Sequence, residues 1–374
     1  MRICIEADSI ASERMSGIGH ATLEMIRQLD SFIEGTSHQL IIIVPFGRKK
    51  FLAGYDLKNA SIRQLPPGYK YVNYALTRTS LPFAADLLYG RGVYIFPNYK
   101  NWYVPFSTSF TFVHDIAFKL FPDTVHPKNL TYLNDNFDRW MARTDKIVTI
   151  SNQSKSEIKE AFPYLQDKVE TVYLGVDKNQ YAPMSYDEIK PILDKYGLKN
   201  DYFITVGNIE PRKNINILLE SYKAYSDSTS SPAQLVLVGG DGWRNEDTLR
   251  QINIMQEEGY AVFRPDRYVK DEDLPALYSG ARANVHVAIH EGFGLPPVQA
   301  QACGTPVIAS NLPVFHEILD PSITTYVPPA RPQDIADAMV HSLPWSPGRR
   351  ATPKDQLTWE NTVRELTRFI GIME

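Results

Sequence analysis

Short apolar runs alternate with amphipathic stretches along the whole chain, and the alternation starts afresh near residue 200. Ile41-Ile42-Ile43-Val44 is the most constraining of these runs. Four consecutive β-branched residues without polar alternation need apolar cover on both faces, which a parallel sheet between two helical layers supplies. Cys4–Glu6, Val93–Phe96, Phe110–Val113 and Lys146–Ile150 are expected as further strands, with helices over Ile18–Leu29 and Leu130–Met141. Ser154-x-x-Glu157 reads as a capping box that opens another helix. Strands and helices at this spacing predict a doubly wound α/β domain over residues 1–180.

Lys178–Pro191 is polar and proline-bearing and is read as a linker. The pattern then restarts with strands at Tyr202–Val206, Leu235–Val238, Asn284–Ala288 and Pro306–Ala309 and helices between them, so a second α/β domain is expected over 185–355. Thr358 is a good N-cap, and Trp359, Val363, Leu366, Ile370 and Met373 form one apolar stripe behind it. A lone helix with that stripe must pack on a domain, and a return to the first one satisfies it. Two Rossmann-like domains facing a central cleft, with the C-terminal helix crossing back, is the expected architecture. Ligands in such sheets bind where strand ends meet helix N-termini.

Composition narrows the function. The formal net charge of −4 argues against a nucleic-acid partner. Residues 1–180 hold 21 Lys/Arg against 18 Asp/Glu, and residues 181–374 hold 18 against 25. That asymmetry is either scatter or a basic first half facing an anionic surface, with Arg48-Lys49-Lys50 as its tip. The two cysteines, Cys4 and Cys303, form neither a metal pattern nor a disulfide framework, so a reducing, cytoplasmic setting is expected. The opening Met1-Arg2-Ile3-Cys4-Ile5-Glu6 reads as a charged strand rather than a signal peptide, and no apolar run is long enough to span a bilayer.

Three loops carry chemistry. Ser16-Gly17-Ile18-Gly19-His20 opens the first helix. It is either a tight turn or a place where backbone approaches an anion. It is not a full G-x-G-x-x-G, because Thr22 stands three residues after Gly19, and no acidic residue follows the second strand, so a nicotinamide cofactor is disfavoured. Gly207-Asn208-Ile209-Glu210-Pro211-Arg212-Lys213-Asn214 puts two cations beside a helix start, where they oppose the helix dipole. They are either surface charges or an anion site whose ligand removes that conflict. Glu291-Gly292-Phe293-Gly294-Leu295-Pro296-Pro297 follows a strand and suits a loop that offers backbone N–H groups, with Glu291 accepting from hydroxyls and Gln299 on the helix behind.

That last run, with Gly304-Thr305-Pro306-Val307-Ile308 behind it, resembles the signature of the retaining glycosyltransferases of family 4, group 1 type, which have the GT-B fold. Gly17 and Gly19, His114-Asp115, Arg212 and Lys213, and Asp273-Leu274-Pro275-Ala276-Leu277-Tyr278 fit the same family in order. The resemblance implies transfer of a hexose from a nucleotide-diphosphate sugar, UDP- or GDP-linked, to a glycan or lipid-linked acceptor in polysaccharide biosynthesis. It implies a peripheral place on the inner face of a membrane. It gives Arg212 and Lys213 the donor diphosphate, Glu291 the sugar hydroxyls with the Phe293 and Gly294 amides beside it, and Leu295 and Gly17 the phosphates. Tyr268 and Val269 would lie at the base, and His114 would line the sugar site. The family's E-x7-E is E-x7-Q here, because Gln299 stands where the ribose-binding acid is expected.

No Asp-x-Asp placed to hold a divalent metal is recognised, so no metal and no cofactor beyond the donor substrate are expected, with front-face attack as the route. A rival within the fold is an epimerase or phosphorylase. A rival of another class is a catalytically silent nucleotide-sugar-binding subunit, for which Gln299 speaks.

Overall fold

The computed structural model describes residues 1–374 except 13–14, 70, 73–74, 76–83, 266–267, 347, 350–352 and 374. The chain divides into two compact units, Met1–Ile116 with Lys128–Gly175 and Thr358–Glu374, and Ala117–Pro127 with Val176–Leu357.

The first unit is built on strands β1 (Arg2–Glu6), β2 (Gln39–Val44), β3 (Ser61–Gln64), β4 (Val93–Phe96), β5 (Thr108–Phe112), β6 (Lys146–Thr149) and β7 (Val169–Thr171). They form one parallel sheet in the order β3-β2-β1-β4-β5-β6-β7. Ile42, Ile43 and Val44 are fully buried, as an unbroken apolar run in a two-sided sheet requires. Helix α1 (Gly17–Phe32) follows β1, and helix α2 (Pro127–Arg143) precedes β6. The next helix starts at Asn152 rather than at Ser154: Ser151 is the N-cap and its hydroxyl accepts from the Ser154 amide, so Ser154 and Glu157, expected as a capping box, lie inside the helix.

The second unit holds β8 (Tyr202–Val206), α3 (Ile215–Asp227), β9 (Gln234–Val238), β10 (Val262–Phe263), β11 (Ala283–His286), α4 (Leu295–Ala302), β12 (Val307–Ser310), β13 (Thr324–Val327) and α5 (Pro332–His341). The sheet is again parallel, in the order β10-β9-β8-β11-β12-β13. Its core joins Phe203, Leu235 and Val285 of the strands to Leu218, Leu219 and Tyr222 of α3. Strand order reverses direction between β8 and β11, and in open α/β sheets that reversal leaves a crevice at the strand C-termini.

Two differences from the sequence reading have local causes. The stretch expected as a linker ends in a helix, Tyr186–Tyr196, opened by a Ser185/Glu188 capping box and tolerating Pro191 in its second turn. Ala117–Pro127, expected in the first domain from its place in the chain, belongs to the second unit: the Phe121 ring lies 5.0 Å from His290, and His126 stands edge-on to Trp243 at 5.7 Å.

The terminal helix α6 (Trp359–Phe369) belongs to the first unit, where it packs against α1. Thr358 caps it by accepting from the Asn361 amide at 3.2 Å. Trp359, Val363, Leu366 and Ile370 are buried, whereas Met373 is only half-buried. No helix among the described residues is long and apolar enough to cross a membrane.

Candidate active site

In the second unit the β8 and β11 loops emerge side by side, because Phe203 pairs with Ala283 and Ile204 with Asn284. After β8 the chain makes a single 3-10 turn, Pro211–Lys213, and then Asn214 adopts a left-handed conformation (φ 59°) before α3 begins. The Asn214 amide group donates to the carbonyls of Val287 and Pro329 at 3.0 and 2.7 Å, and the Ile289 amide donates to Arg212 O at 2.9 Å. These bonds hold the cation loop against the Glu291 loop.

The result is one charge cluster around the buried Glu291. Lys213 Nζ donates to Glu291 Oε1 at 2.5 Å, and Arg212 Nη1 donates to Glu291 Oε2 at 2.8 Å. Arg212 also donates to the His290 carbonyl at 3.2 Å and to Glu210 Oε1 at 3.3 Å. His286, the last residue of β11, brings Nε2 to 2.9 Å from Glu291 Oε1. The carboxylate can only accept, so Nε2 carries the proton and donates.

Glu291 is 6% exposed. Burial by itself raises its pKa, but Lys213, Arg212 and His286 outweigh it and hold the carboxyl well below the usual carboxylate range. His286 is pushed down, first by burial and then by the two cations, against the pull of Glu291, so it is neutral at physiological pH. The opposition between two cations and the helix dipole is thus relieved from within the protein by Glu291 and Glu210. An anionic ligand, one of the two alternatives the sequence leaves open, is therefore not needed to relieve it.

The Glu291 loop leads into α4. Gly294 has φ 100°, and a Cβ there would come within 2.7 Å of the Phe315 ring, so both conformation and packing require glycine. Among the described residues the amides of Phe293, Gly294 and Leu295 donate to no protein acceptor, while Pro296 and Pro297 have none to donate. Three consecutive free N–H groups at a helix start form an anion-receiving surface. Gln299 lies one turn along α4, half-buried, and its Oε1 accepts from the buried Tyr278 hydroxyl at 3.5 Å. Val269 is buried and Tyr268 is 59% exposed, in the segment after β10.

The first unit brings its own residues together. Ser16 caps α1 and takes up the Gly19 amide at 3.3 Å. A Cβ at Gly19 would meet the Ser9 carbonyl at 2.7 Å, whereas Gly17 has open space around it. His114, after β5, is buried, and its Nε2 donates to the Pro97 carbonyl at 2.7 Å, which leaves Nδ1 as an acceptor. Burial lowers its pKa, partly offset by that bond and by Asp115. It shares a small cavity with Ala21, Thr22 and Met25 of α1.

Sequence reasoning missed His286 and Glu210, and it passed over Asp271-Glu272-Asp273, which does spell Asp-x-Asp. Asp273 is engaged within the protein: Lys195 Nζ donates to its Oδ2 at 2.5 Å and the Tyr196 hydroxyl at 2.6 Å. The cue for His286 was a histidine inside an apolar strand run, since a buried imidazole needs a partner.

Two parallel-sheet Rossmann-like units, with a cation pair and an EGFG loop meeting at the second unit's strand reversal, define a glycosyltransferase of the GT-B fold. The chain belongs to the glycosyl transferases group 1 family, whose sequence model matches residues 187–343. It is 33% identical over 274 residues to the O-antigen chain mannosyltransferase B of Escherichia coli, covering 70% of each chain. It is 30% identical over 207 residues to the O-antigen chain mannosyltransferase RfbU of Salmonella typhimurium, 55% of this chain and 53% of that one. Among solved structures, Anabaena HepE in complex with UDP and glucose superposes with TM-score 0.65 at 15% identity, covering 98% of this chain and 94% of that one. Sucrose-phosphate synthase from Thermosynechococcus elongatus superposes with TM-score 0.69 at 16% identity, covering 98% of each.

Proposed function

We propose that the protein transfers a hexose, with mannose the first candidate, from a nucleoside-diphosphate sugar to a glycan or lipid-linked acceptor of a surface polysaccharide. The observation that carries this is the buried Glu291 bonded to both Arg212 and Lys213 beside three free amides. The pair offers two cations to a diphosphate, the loop offers N–H groups, and the carboxylate offers an acceptor for sugar hydroxyls. Mannose is suggested by the two O-antigen relatives, both named as mannosyltransferases. GDP is the first nucleotide carrier to test, with UDP the alternative.

Charge on the departing diphosphate rises as the bond from the sugar C1 to the phosphate oxygen breaks. Arg212 and Lys213 are placed to stabilise it. The reading is retention by front-face attack: the acceptor oxygen bonds to C1 on the face the diphosphate leaves, and a leaving phosphate oxygen takes the acceptor proton. His114 lines the sugar site and accepts a hydroxyl through Nδ1. Leu295 and Gly17 approach the phosphates, Gln299 the ribose, and Tyr268 and Val269 the base. The reaction proceeds without a divalent metal.

A peripheral contact with an anionic lipid surface is supported by Arg48-Lys49-Lys50 beside Phe46, which is 63% exposed. The test is incubation with GDP-mannose and other nucleotide sugars, with and without acceptor and chelator. Release of nucleoside diphosphate with an α-linked product from an α-linked donor is expected. Inverted product contradicts retention. Binding without any turnover or donor hydrolysis favours the silent-subunit reading instead.

A further inference from the structure

We infer that His286 is a positioning residue that keeps Glu291 aimed at the donor sugar once Arg212 and Lys213 have turned to the diphosphate. The inference rests on the proposed roles of those three residues. Glu291 receives three donors, Lys213 and His286 on Oε1 and Arg212 on Oε2. Two of the three are cations, and a diphosphate competes for both. A carboxylate held only by them would lose its anchors as the donor enters, or would hold the cations back. His286 is different in kind. It is neutral, 2% exposed, and has no charge for a phosphate to attract.

Its placement is fixed from both sides. The backbone of His286 sits in β11 opposite Ala309 of β12, and its ring stands edge-on to Phe315 at 5.5 Å. Phe315 is also the ring that closes over Gly294. One aromatic side chain therefore buttresses both the histidine and the loop whose amides face the ligand. A buried imidazole is costly at a strand end where an aliphatic residue would pack. The Nε2–H bond to Glu291 gives the position a reason to be polar.

The test compares purified wild type, His286→Leu and His286→Gln, with folding checked by thermal melts, by titrating GDP and GDP-mannose separately and by steady-state kinetics. GDP reports the cations, and GDP-mannose adds the sugar. His286→Leu is expected to bind GDP within twofold of wild type and to lose about tenfold in GDP-mannose affinity and in kcat/KM, since a charge-assisted hydrogen bond is worth this much. His286→Gln, which keeps an N–H donor, is expected to recover most of the loss. Equal loss for both ligands, or no loss for either, overturns the inference. The wild-type His286 Nε2–H proton, followed by NMR, is expected to stay protected with GDP bound, and its disappearance overturns the inference without any variant. If wild type binds no nucleotide sugar, the proposed function falls with it. If wild type binds and His286→Leu binds equally, only the role of His286 falls.

Discussion

Lys213 Nζ lies 2.5 Å from Glu291 Oε1, so the residue expected to hold phosphate and the residue expected to hold sugar are bound to one another. These residues form an internal ion cluster, with Arg212 bridging Glu291 and Glu210.

Lys213→Ala is expected to lower kcat on the order of a hundredfold with folding intact. Loss of one transition-state donor costs about 2–4 kcal/mol in the barrier. Single-turnover kinetics with saturating donor measures this, and near wild-type turnover contradicts the role.

Glu291→Ala leaves two partly buried cations without their carboxylate. Breaking one side of such a pair costs about 3–5 kcal/mol. Thermal or denaturant unfolding should show that loss. Added nucleoside diphosphate, by supplying replacement anions, should restore more stability to the variant than it adds to wild type. Equal ligand shifts in both proteins would show that the diphosphate does not reach the cation pair.

The two glycines of the first-unit loop separate structure from ligand contact. Gly19→Ala forces a Cβ to 2.7 Å from the Ser9 carbonyl and should cost about 1–3 kcal/mol of stability, as overpacking does. Gly17 is exposed with open space around it, so Gly17→Ala should leave stability within about 0.5 kcal/mol. Reduced activity in a fully stable Gly17→Ala variant places ligand at that backbone. Unchanged activity removes Gly17 from the site.

His114 and His286 are both held neutral, chiefly by burial. A histidine with a lowered pKa in the folded state binds fewer protons there than when unfolded, so it lowers stability as pH falls below about 6.5. Glu6 acts in the other direction: burial pushes its carboxyl up to about 7 against the pull of Lys100, so the folded state gains protons there as pH falls. Wild-type stability is the sum, and the difference between wild type and His114→Gln isolates one histidine. The variant should lose less stability than wild type between pH 7 and pH 5, read from urea midpoints. A larger loss would reverse the assignment.

Gln299→Glu is expected to keep or raise donor affinity, since a carboxylate can accept the same Tyr278 hydroxyl bond at 3.5 Å and also bond ribose. A large loss in a donor titration would mean that the position depends on the amide.

The central strands and both glycine-bearing loops were legible because each depends on local pattern. Ile41–Val44 needed two buried faces, and EGFGLPP could only be a strand-to-helix loop. Ser61–Gln64, Val169–Thr171 and Thr324–Val327 were not read, because all three are short edge strands with mixed burial and little apolar signal. The helix across Pro191 was hidden by a residue that usually ends helices. Within the site, residue types pointed to the right loops but not to their pairing. Arg212 and Glu291 are 79 residues apart, and only the adjacency of β8 and β11 brings them together. Glu210, two residues from Arg212, carries no sequence signal that marks it as a partner of that cation.

Titration of the protein with GDP-mannose beside UDP-glucose, UDP-galactose and the free nucleotides, read as thermal shift, tests the proposed function most directly. A ligand that binds only the folded state stabilises it by about 2.7 kcal/mol at a hundredfold excess over Kd. The expected result is a shift for GDP-mannose larger than for any other sugar nucleotide and larger than for GDP alone. No shift with any nucleotide sugar, under conditions where the protein is folded, would contradict it.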